Sequence, residues 1–122
     1  MKTLRRAWLL GALLLSACGS DDDNNAESQS SARDQATRAA CDKLAECGRI
    51  GAGQDYETRE SCEIDQRASW ERTWPPASCD GHIDTTALNA CLVAIQTAQC
   101  GNALDLLNIY ANKCTQANVC GS

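Results

Sequence analysis

Large apolar side chains are scarce in this sequence of 122 residues, which contains no Phe and one Met. A chain of this length forms one domain, but a domain poor in apolar volume must gain part of its stability from another source. The sequence also has no C-x-x-C pair, so a zinc ribbon, a redox-active dithiol or a haem attachment site has no support. Because G-x-S-x-G, H-E-x-x-H and phosphate-binding glycine motifs are absent too, we expect no enzyme activity, cofactor or metal.

The N-terminus has the three parts of an export signal. Lys2, Arg5 and Arg6 are basic, residues 7–15 are apolar, and Ser16 and Ala17 are small. The apolar run is about half of the roughly 20 residues that a membrane-spanning helix needs. We therefore interpret residues 1–17 as a signal peptide rather than a retained span.

Cys18 follows directly after this segment. The stretch Leu15-Ser16-Ala17-Cys18 resembles a bacterial lipobox. The resemblance implies that the thiol of Cys18 receives a diacylglyceryl group, that cleavage occurs before it and that the new N-terminus is acylated. Several fatty chains together anchor a protein durably. An ordinary secretory signal with a chance cysteine is the alternative interpretation.

The residues after Cys18 bear on localisation. Lipoproteins with Asp at the next position are commonly retained at the inner membrane, and here that residue is Gly19. The resemblance therefore implies an outer-membrane protein, on the periplasmic or the cell-surface face. The acidic run Asp21–Asp23 leaves open a surface signal specific to one lineage.

The predicted mature chain is acidic. Loss of the three positive charges of the signal changes the formal net charge from −5 to −8. Such a surface repels phosphate backbones and anionic headgroups, so we expect no nucleic-acid partner and no membrane contact other than the lipid on Cys18. A protein or glycan partner remains possible.

The chain beyond the lipobox divides into a polar segment and a helical domain. Residues 18–33 contain no large apolar side chain and are predicted to be a disordered acidic tether. Residues 34–122 are predicted to form an all-α, four-helix domain, because apolar residues recur at helical spacing and no run alternates like a strand. The helices are expected at residues 34–47, 58–74, 85–99 and 102–113, with Pro75-Pro76 ending the second and Asp84 capping the third.

Eight cysteines remain after Cys18, an even number that can pair completely. Export to an oxidising compartment favours four structural disulfides over a metal site, although four thiolates could still converge on a metal ion. Eight cysteines allow 105 pairings. An antiparallel hairpin of the first two helices predicts one of them, Cys47 with Cys62. The eight are Cys41, Cys47, Cys62, Cys79, Cys91, Cys100, Cys114 and Cys120.

A second resemblance covers most of residues 40–120. The spacing of the cysteines, the segment CLVAIQTAQC at 91–100 and the preceding W-x-x-x-W-P-P resemble uncharacterised cysteine-rich lipoproteins of myxobacteria and their relatives. The resemblance implies a small helical disulfide domain on a lipid anchor. It implies no activity and transfers no functional residue.

Three functional hypotheses follow. The first is an outer-membrane or cell-surface lipoprotein with a structural or binding role, and the second is a tethered inhibitor or small-ligand-binding module. Trp70 and Trp74 lie on one helical stripe and could line a groove for a ligand, although core packing is the interpretation that we favour. The third is a hydrolase centred on His82, which stands between Asp80 and Asp84. The loop leading into a capped helix explains that stretch more simply.

Overall fold

The computed structural model describes residues 28–101 and 103–121, and within them the protein is helical. No strand occurs there, and the one β-type contact is an isolated bridge between Ile50 and Tyr56. The all-α prediction is confirmed. The four predicted helices correspond to α1, α2, α4 and α5, and two short helices were not predicted. The elements are α1 (Gln29–Glu46), α2 (Arg59–Thr73), α3 (Pro76–Cys79), α4 (Thr85–Gln96), α5 (Ala103–Asn112) and α6 (Gln116–Val119).

The first helix begins earlier than predicted. Ser28 caps it by accepting a hydrogen bond from the backbone N–H of Ser31 at 3.1 Å. The buried side chain of Gln29 donates to the carbonyl of Trp74 at 2.7 Å, and Ala32 is fully buried. Residues 29–33 therefore belong to the domain and not to the predicted tether. The tether was predicted because this segment has no large apolar side chain. Alanine buries little area by itself, but its small size permits close contact with the large indoles of Trp70 and Trp74.

Helices α1 and α2 form an antiparallel pair joined by ion pairs. Arg59 on α2 contacts Asp42 on α1 at 2.6 Å, and Arg33 on α1 contacts Glu71 on α2 at 2.9 Å. The second contact lowers the pKa of Glu71 through the hydrogen bond from Arg33. Within α2, Arg59 and Glu63 form an i, i+4 ion pair at 3.1 Å. Arg67 on α2 also contacts Asp34 on α1, at 3.4 Å.

The helix boundaries follow local signals. Thr58 and Ser61 form a reciprocal capping box at the start of α2. Pro75 and Pro76 end α2 as predicted, and Pro76 then opens α3, where the missing N–H of proline costs nothing. Asp84 caps α4 as predicted, accepting from the N–H of Ala87 at 3.0 Å.

The main core is built around two indoles. Trp70 and Trp74 are 2% and 0% exposed, with ring centroids 4.6 Å apart. The indole N–H of Trp74 donates to the carbonyl of Cys114 at 2.9 Å. The expectation that the indoles pack in the core is confirmed. Their neighbours in the cluster include the alanines of α1 and the apolar face of α4, namely Ala32, Ala36, Ala39, Leu88, Cys91 and Ile95.

Four disulfides connect the helices, and all eight predicted cysteines take part. They are Cys41–Cys62, Cys47–Cys100, Cys79–Cys120 and Cys91–Cys114. The predicted Cys47–Cys62 bond is wrong, although the hairpin exists. Because Arg59 faces Asp42, Cys62, which lies one turn further along α2, comes next to the residue just before Asp42, which is Cys41. Cys47 lies beyond the last helical residue and pairs with Cys100 instead.

The disulfides also bear on the compartment. Stable disulfides form in oxidising environments and are rare in the cytosol, so four of them indicate an extracytoplasmic protein. Across residues 28–101 and 103–121, no helix combines the length and the apolar character needed to cross a membrane.

Candidate ligand-binding site

A cleft of about 640 Å³ opens between α1, the loop that follows it, α2 and α5. This volume lies within the range of roughly 300–1,000 Å³ that is usual for small-molecule sites. We call it the tyrosine cleft, because both tyrosines of the chain line it. Its lining residues are Leu44, Arg49, Asp55, Tyr56, Asp65, Gln66, Leu106, Leu107 and Tyr110.

The loop that forms one side of the cleft leaves α1 through a Schellman motif. The N–H of Arg49 donates to the carbonyl of Leu44 at 2.8 Å, and that of Gly48 donates to Ala45 at 3.0 Å. Gly48 has φ +73°, a left-handed conformation that favours glycine. The turn directs Arg49 toward the cleft, where it forms an ion pair with Asp55.

Tyr56 is fixed in the loop from both its backbone and its side chain. Its carbonyl accepts a hydrogen bond from the N–H of Gly51 at 2.8 Å, and its N–H donates to the backbone carbonyl of Arg49 at 3.3 Å. Its phenol donates to the carboxylate of Asp65 and accepts from the amide of Gln66 at 3.4 Å. Burial and the bond to Asp65 raise the pKa of Tyr56, so the phenol is neutral at physiological pH.

Helix α5 forms the opposite side. Tyr110 contacts Trp70 edge to face, with ring centroids 5.0 Å apart, and this contact joins the cleft to the core. Burial raises the pKa of Tyr110 to about 12. Leu107 is 61% exposed although it is a large apolar side chain, and it lines the cleft. The cleft thus combines apolar surface with a few fixed polar groups, the composition expected of a ligand site.

A family model described as "Family of unknown function (DUF6184)" matches residues 41–122. The chain belongs to this family. No curated protein and no solved structure matches it.

Membership of DUF6184 assigns no activity, but the cleft lies entirely within the part of the chain that the family model matches. Every residue that lines the tyrosine cleft, and every cysteine of the four disulfides, falls inside the matched range. The matched range begins at Cys41, within α1, so the first turns of α1 precede it.

The indole groove that was the alternative to core packing does not form at Trp70 and Trp74. Trp70 and Trp74 are both buried, so neither presents a face to a ligand. The indole N–H of Trp70 is buried, and within the described part of the chain no group accepts its hydrogen bond. Aromatic side chains do border a cleft, but they are the two tyrosines and not the tryptophans.

His82 lies in the exposed loop before α4. The two carboxylates beside it are engaged elsewhere, since Asp80 accepts from the N–H of Gln29 at 3.1 Å and Asp84 caps α4. Within residues 28–101 and 103–121, no hydrogen bond joins the imidazole to either aspartate. The arrangement of an oriented general base is therefore missing at His82.

The other predicted site residues are structural or lie elsewhere in the chain. Cys18 lies outside the described residues. Six of the paired cysteines are buried, whereas Cys47 is half-buried and Cys100 is exposed. Over the described ranges, no cluster of three His, Cys, Asp or Glu side chains is suited to hold a metal ion.

Sequence reasoning missed the tyrosine cleft as a site. Leu107 and Tyr110 carried a signal, because helical spacing placed both on one apolar face of the fourth predicted helix. Tyr56 carried none, since its position depends on a loop closed by non-local backbone bonds. A face that appears to be core from its spacing can equally line a cleft when the facing helices diverge.

Proposed function

We propose that this protein is a lipid-anchored binding module of the outer membrane or cell surface that takes a small amphipathic ligand in the tyrosine cleft. The cleft is the observation that carries the proposal. It is large enough for a small molecule, it offers Leu106, Leu107 and two tyrosine rings, and its polar groups are fixed by Arg49–Asp55 and Tyr56–Asp65 contacts.

Binding is favoured over catalysis by the chemistry of the cleft. Its titratable groups are Arg49, two carboxylates and two phenols whose pKa values are raised. A nucleophile activated by an adjacent base is the usual arrangement for covalent hydrolysis, and the one hydroxyl that donates to a carboxylate in the cleft, that of Tyr56, has a raised pKa, which makes it a poor nucleophile. We therefore propose a protein that binds and does not react.

The test uses N-phenyl-1-naphthylamine, a neutral amphipathic dye whose fluorescence rises in apolar surroundings. Two exposed apolar side chains supply a matched pair, because Leu107 is 61% and Val93 is 56% exposed, and only Leu107 lines the cleft. We expect the full chain to bind the dye and Leu107→Ser to weaken binding severalfold, while Val93→Ser leaves it unchanged. Equal effects of the two substitutions, or no dye binding, would contradict the proposal.

The lipid anchor is supported by the lipobox at Leu15–Cys18 and by the extracytoplasmic character that the disulfides indicate. The position of the cleft is consistent with it. The anchor would join the domain at the N-terminal end of α1, whereas Leu44 lies roughly 22 Å further along that helix. A domain attached in this way presents its cleft at the end remote from the attachment.

Metabolic labelling with a clickable fatty acid tests the anchor. We expect the full chain to incorporate the label and a Cys18→Ala variant to lose it and to accumulate with its signal uncut. Cys100→Ala is the control, because it also removes one cysteine and lies outside the lipobox. Label that persists in Cys18→Ala would refute the anchor and leave the cleft proposal standing.

A further inference from the structure

The charge of the tyrosine cleft is not balanced. Arg49 is paired with Asp55, so these two charges compensate each other. Asp65 also lines the cleft, and across the described ranges it forms no ion pair. Its one side-chain partner is the phenol of Tyr56, which donates a hydrogen bond but brings no positive charge. The cleft therefore carries one uncompensated carboxylate.

Aromatic rings accompany this carboxylate. Tyr56 is bonded to Asp65 directly, and Tyr110 lines the same cleft from α5. The negative face of an aromatic ring attracts cations, and aromatic side chains are the usual partners of quaternary ammonium groups in proteins. Both phenols are neutral at physiological pH, since an ordinary tyrosine titrates near 10 and the pKa values of these two are raised further, so they add rings without adding charge.

The remaining surface of the cleft is apolar. Leu44 comes from α1, and Leu106 and Leu107 come from α5. A small inorganic cation would leave these side chains without a partner, whereas an alkyl or aryl tail would cover them. An anion would meet Asp65 directly and would find Arg49 already paired.

We propose that the ligand of the tyrosine cleft is an amphipathic organic cation, an amine or quaternary ammonium whose charged head lies at Asp65 between the tyrosines and whose tail lies along Leu106 and Leu107. This inference rests on the proposed function and names its ligand class. The acidic character of the whole chain favours the same class, since a net negative surface attracts cations.

The test compares three probes that share a six-carbon tail: hexyltrimethylammonium, 1-hexanol and hexanoate. The oxidised full chain is held in zwitterionic lipid nanodiscs, and binding is followed by NMR shifts of the cleft residues Gln66, Leu106 and Leu107. We expect the ammonium to bind roughly three- to thirtyfold more tightly than hexanol, the range that one exposed cation–π contact and one exposed ion pair provide. Hexanoate should bind most weakly.

Two substitutions separate the specific from the general effect of charge. Asp65→Asn keeps the shape of the side chain and an oxygen that can accept from Tyr56, and it should reduce the preference for the ammonium to the roughly two- to fivefold that the tyrosine rings alone provide. Glu60→Gln, on the same helix but outside the cleft, changes the net charge equally and should leave the preference intact.

Each outcome decides a different claim. Equal binding of the ammonium and hexanol, or a preference that Asp65→Asn leaves undiminished, would overturn the cation inference while the proposed function stands. If none of the three probes shifted the NMR signals of the cleft residues, the cation inference and the proposed function would both be overturned.

Discussion

At the scale of single residues, the two tryptophans differ in one hydrogen bond. Both indoles are buried, but Trp74 donates to the carbonyl of Cys114, whereas the N–H of Trp70 has no acceptor in the described part of the chain. Buried donors without partners are rare, because each one carries the full cost of its desolvation. The chemical environments of Trp70 and Trp74 are therefore unequal despite their similar burial.

This difference predicts unequal effects of Trp→Phe substitutions. Trp74→Phe leaves the buried carbonyl of Cys114 without its donor, whereas Trp70→Phe removes a donor that has no partner. We expect Trp74→Phe to lower the free energy of unfolding by about 1–3 kcal/mol more than Trp70→Phe does. Denaturant unfolding with the disulfides intact measures both variants, and equal losses or the reverse order would contradict the assignment.

The tyrosine of α5 predicts a dependence on alkaline pH. Burial raises the pKa of Tyr110 to about 12 in the folded protein, whereas an ordinary tyrosine titrates near 10. Between these values the unfolded chain loses a proton that the folded chain keeps, so the contribution of Tyr110 to stability is complete below pH 10 and declines as the pH rises toward 12. Tyr110→Phe should remove this part of the decline.

Phenolate absorbance supplies the direct measurement. In wild type we expect one late-ionising tyrosine, and its absorbance change should be missing in Tyr110→Phe. Tyr56→Phe is the matched control, because it removes the other tyrosine and should leave the late step in place. A wild-type protein in which both tyrosines ionise near pH 10 would show that Tyr110 is not buried as described.

At the scale of elements, α5 is attached to α1 through an accessible disulfide. Cys47 stands at the C-cap of α1 and Cys100 lies shortly before α5, and they are half-buried and exposed. The cysteines of the other three described disulfides are buried. A reductant must reach a sulfur atom in order to attack it, so accessibility distinguishes this bond from the others.

We predict that the Cys47–Cys100 bond is reduced first. Graded treatment with a mild thiol, followed by alkylation and peptide mass spectrometry, should find label at Cys47 and Cys100 before any other cysteine. The bond also spans 53 residues, the longest separation of the four, and its loss is expected to cost about 4 kcal/mol in the loop-entropy account. Earlier labelling of Cys41 or Cys62 would contradict the order.

The elements also indicate how much of the fold local patterns determine. Pro75-Pro76 and Asp84 act through the backbone of their own helices, and their predicted roles are confirmed. The start of α1 was missed because it depends on Gln29 reaching Trp74, a contact between residues distant in sequence. The pairing of Cys62 was missed for a related reason, since it depends on the register of α1 against α2.

The candidate site was harder to predict than the helices. Its residues come from two helix faces, a loop and the end of α1, and no spacing in the sequence links Tyr56 with Tyr110. Their shared position arises from the way α5 packs beside the α1–α2 pair. The aromatic residues that the sequence pattern emphasised, Trp70 and Trp74, lie in the core, and Leu106 and Tyr110 of α5 pack against this core.

At the scale of the whole molecule, the disulfides stabilise the domain that the proposed lipid anchor would hold at the membrane. The core is small and rich in alanine, so four disulfides supply stability that apolar burial alone would not. Three of them lie in the interior, and the fourth closes the side of the domain next to the cleft. In the proposed arrangement a lipid at Cys18 holds the domain at the membrane while the cleft remains accessible.

Photo-crosslinking in cells tests the central claim, that the tyrosine cleft is the ligand site, most directly. The full chain is expressed, the cells are illuminated with an alkylammonium probe that carries a diazirine, and the labelled peptides are mapped by mass spectrometry. We predict adducts concentrated in residues 49–66 and 106–110, and fewer adducts in Leu107→Ser than in Val93→Ser. Adducts confined to other surfaces, or spread in proportion to exposed area, would contradict the account.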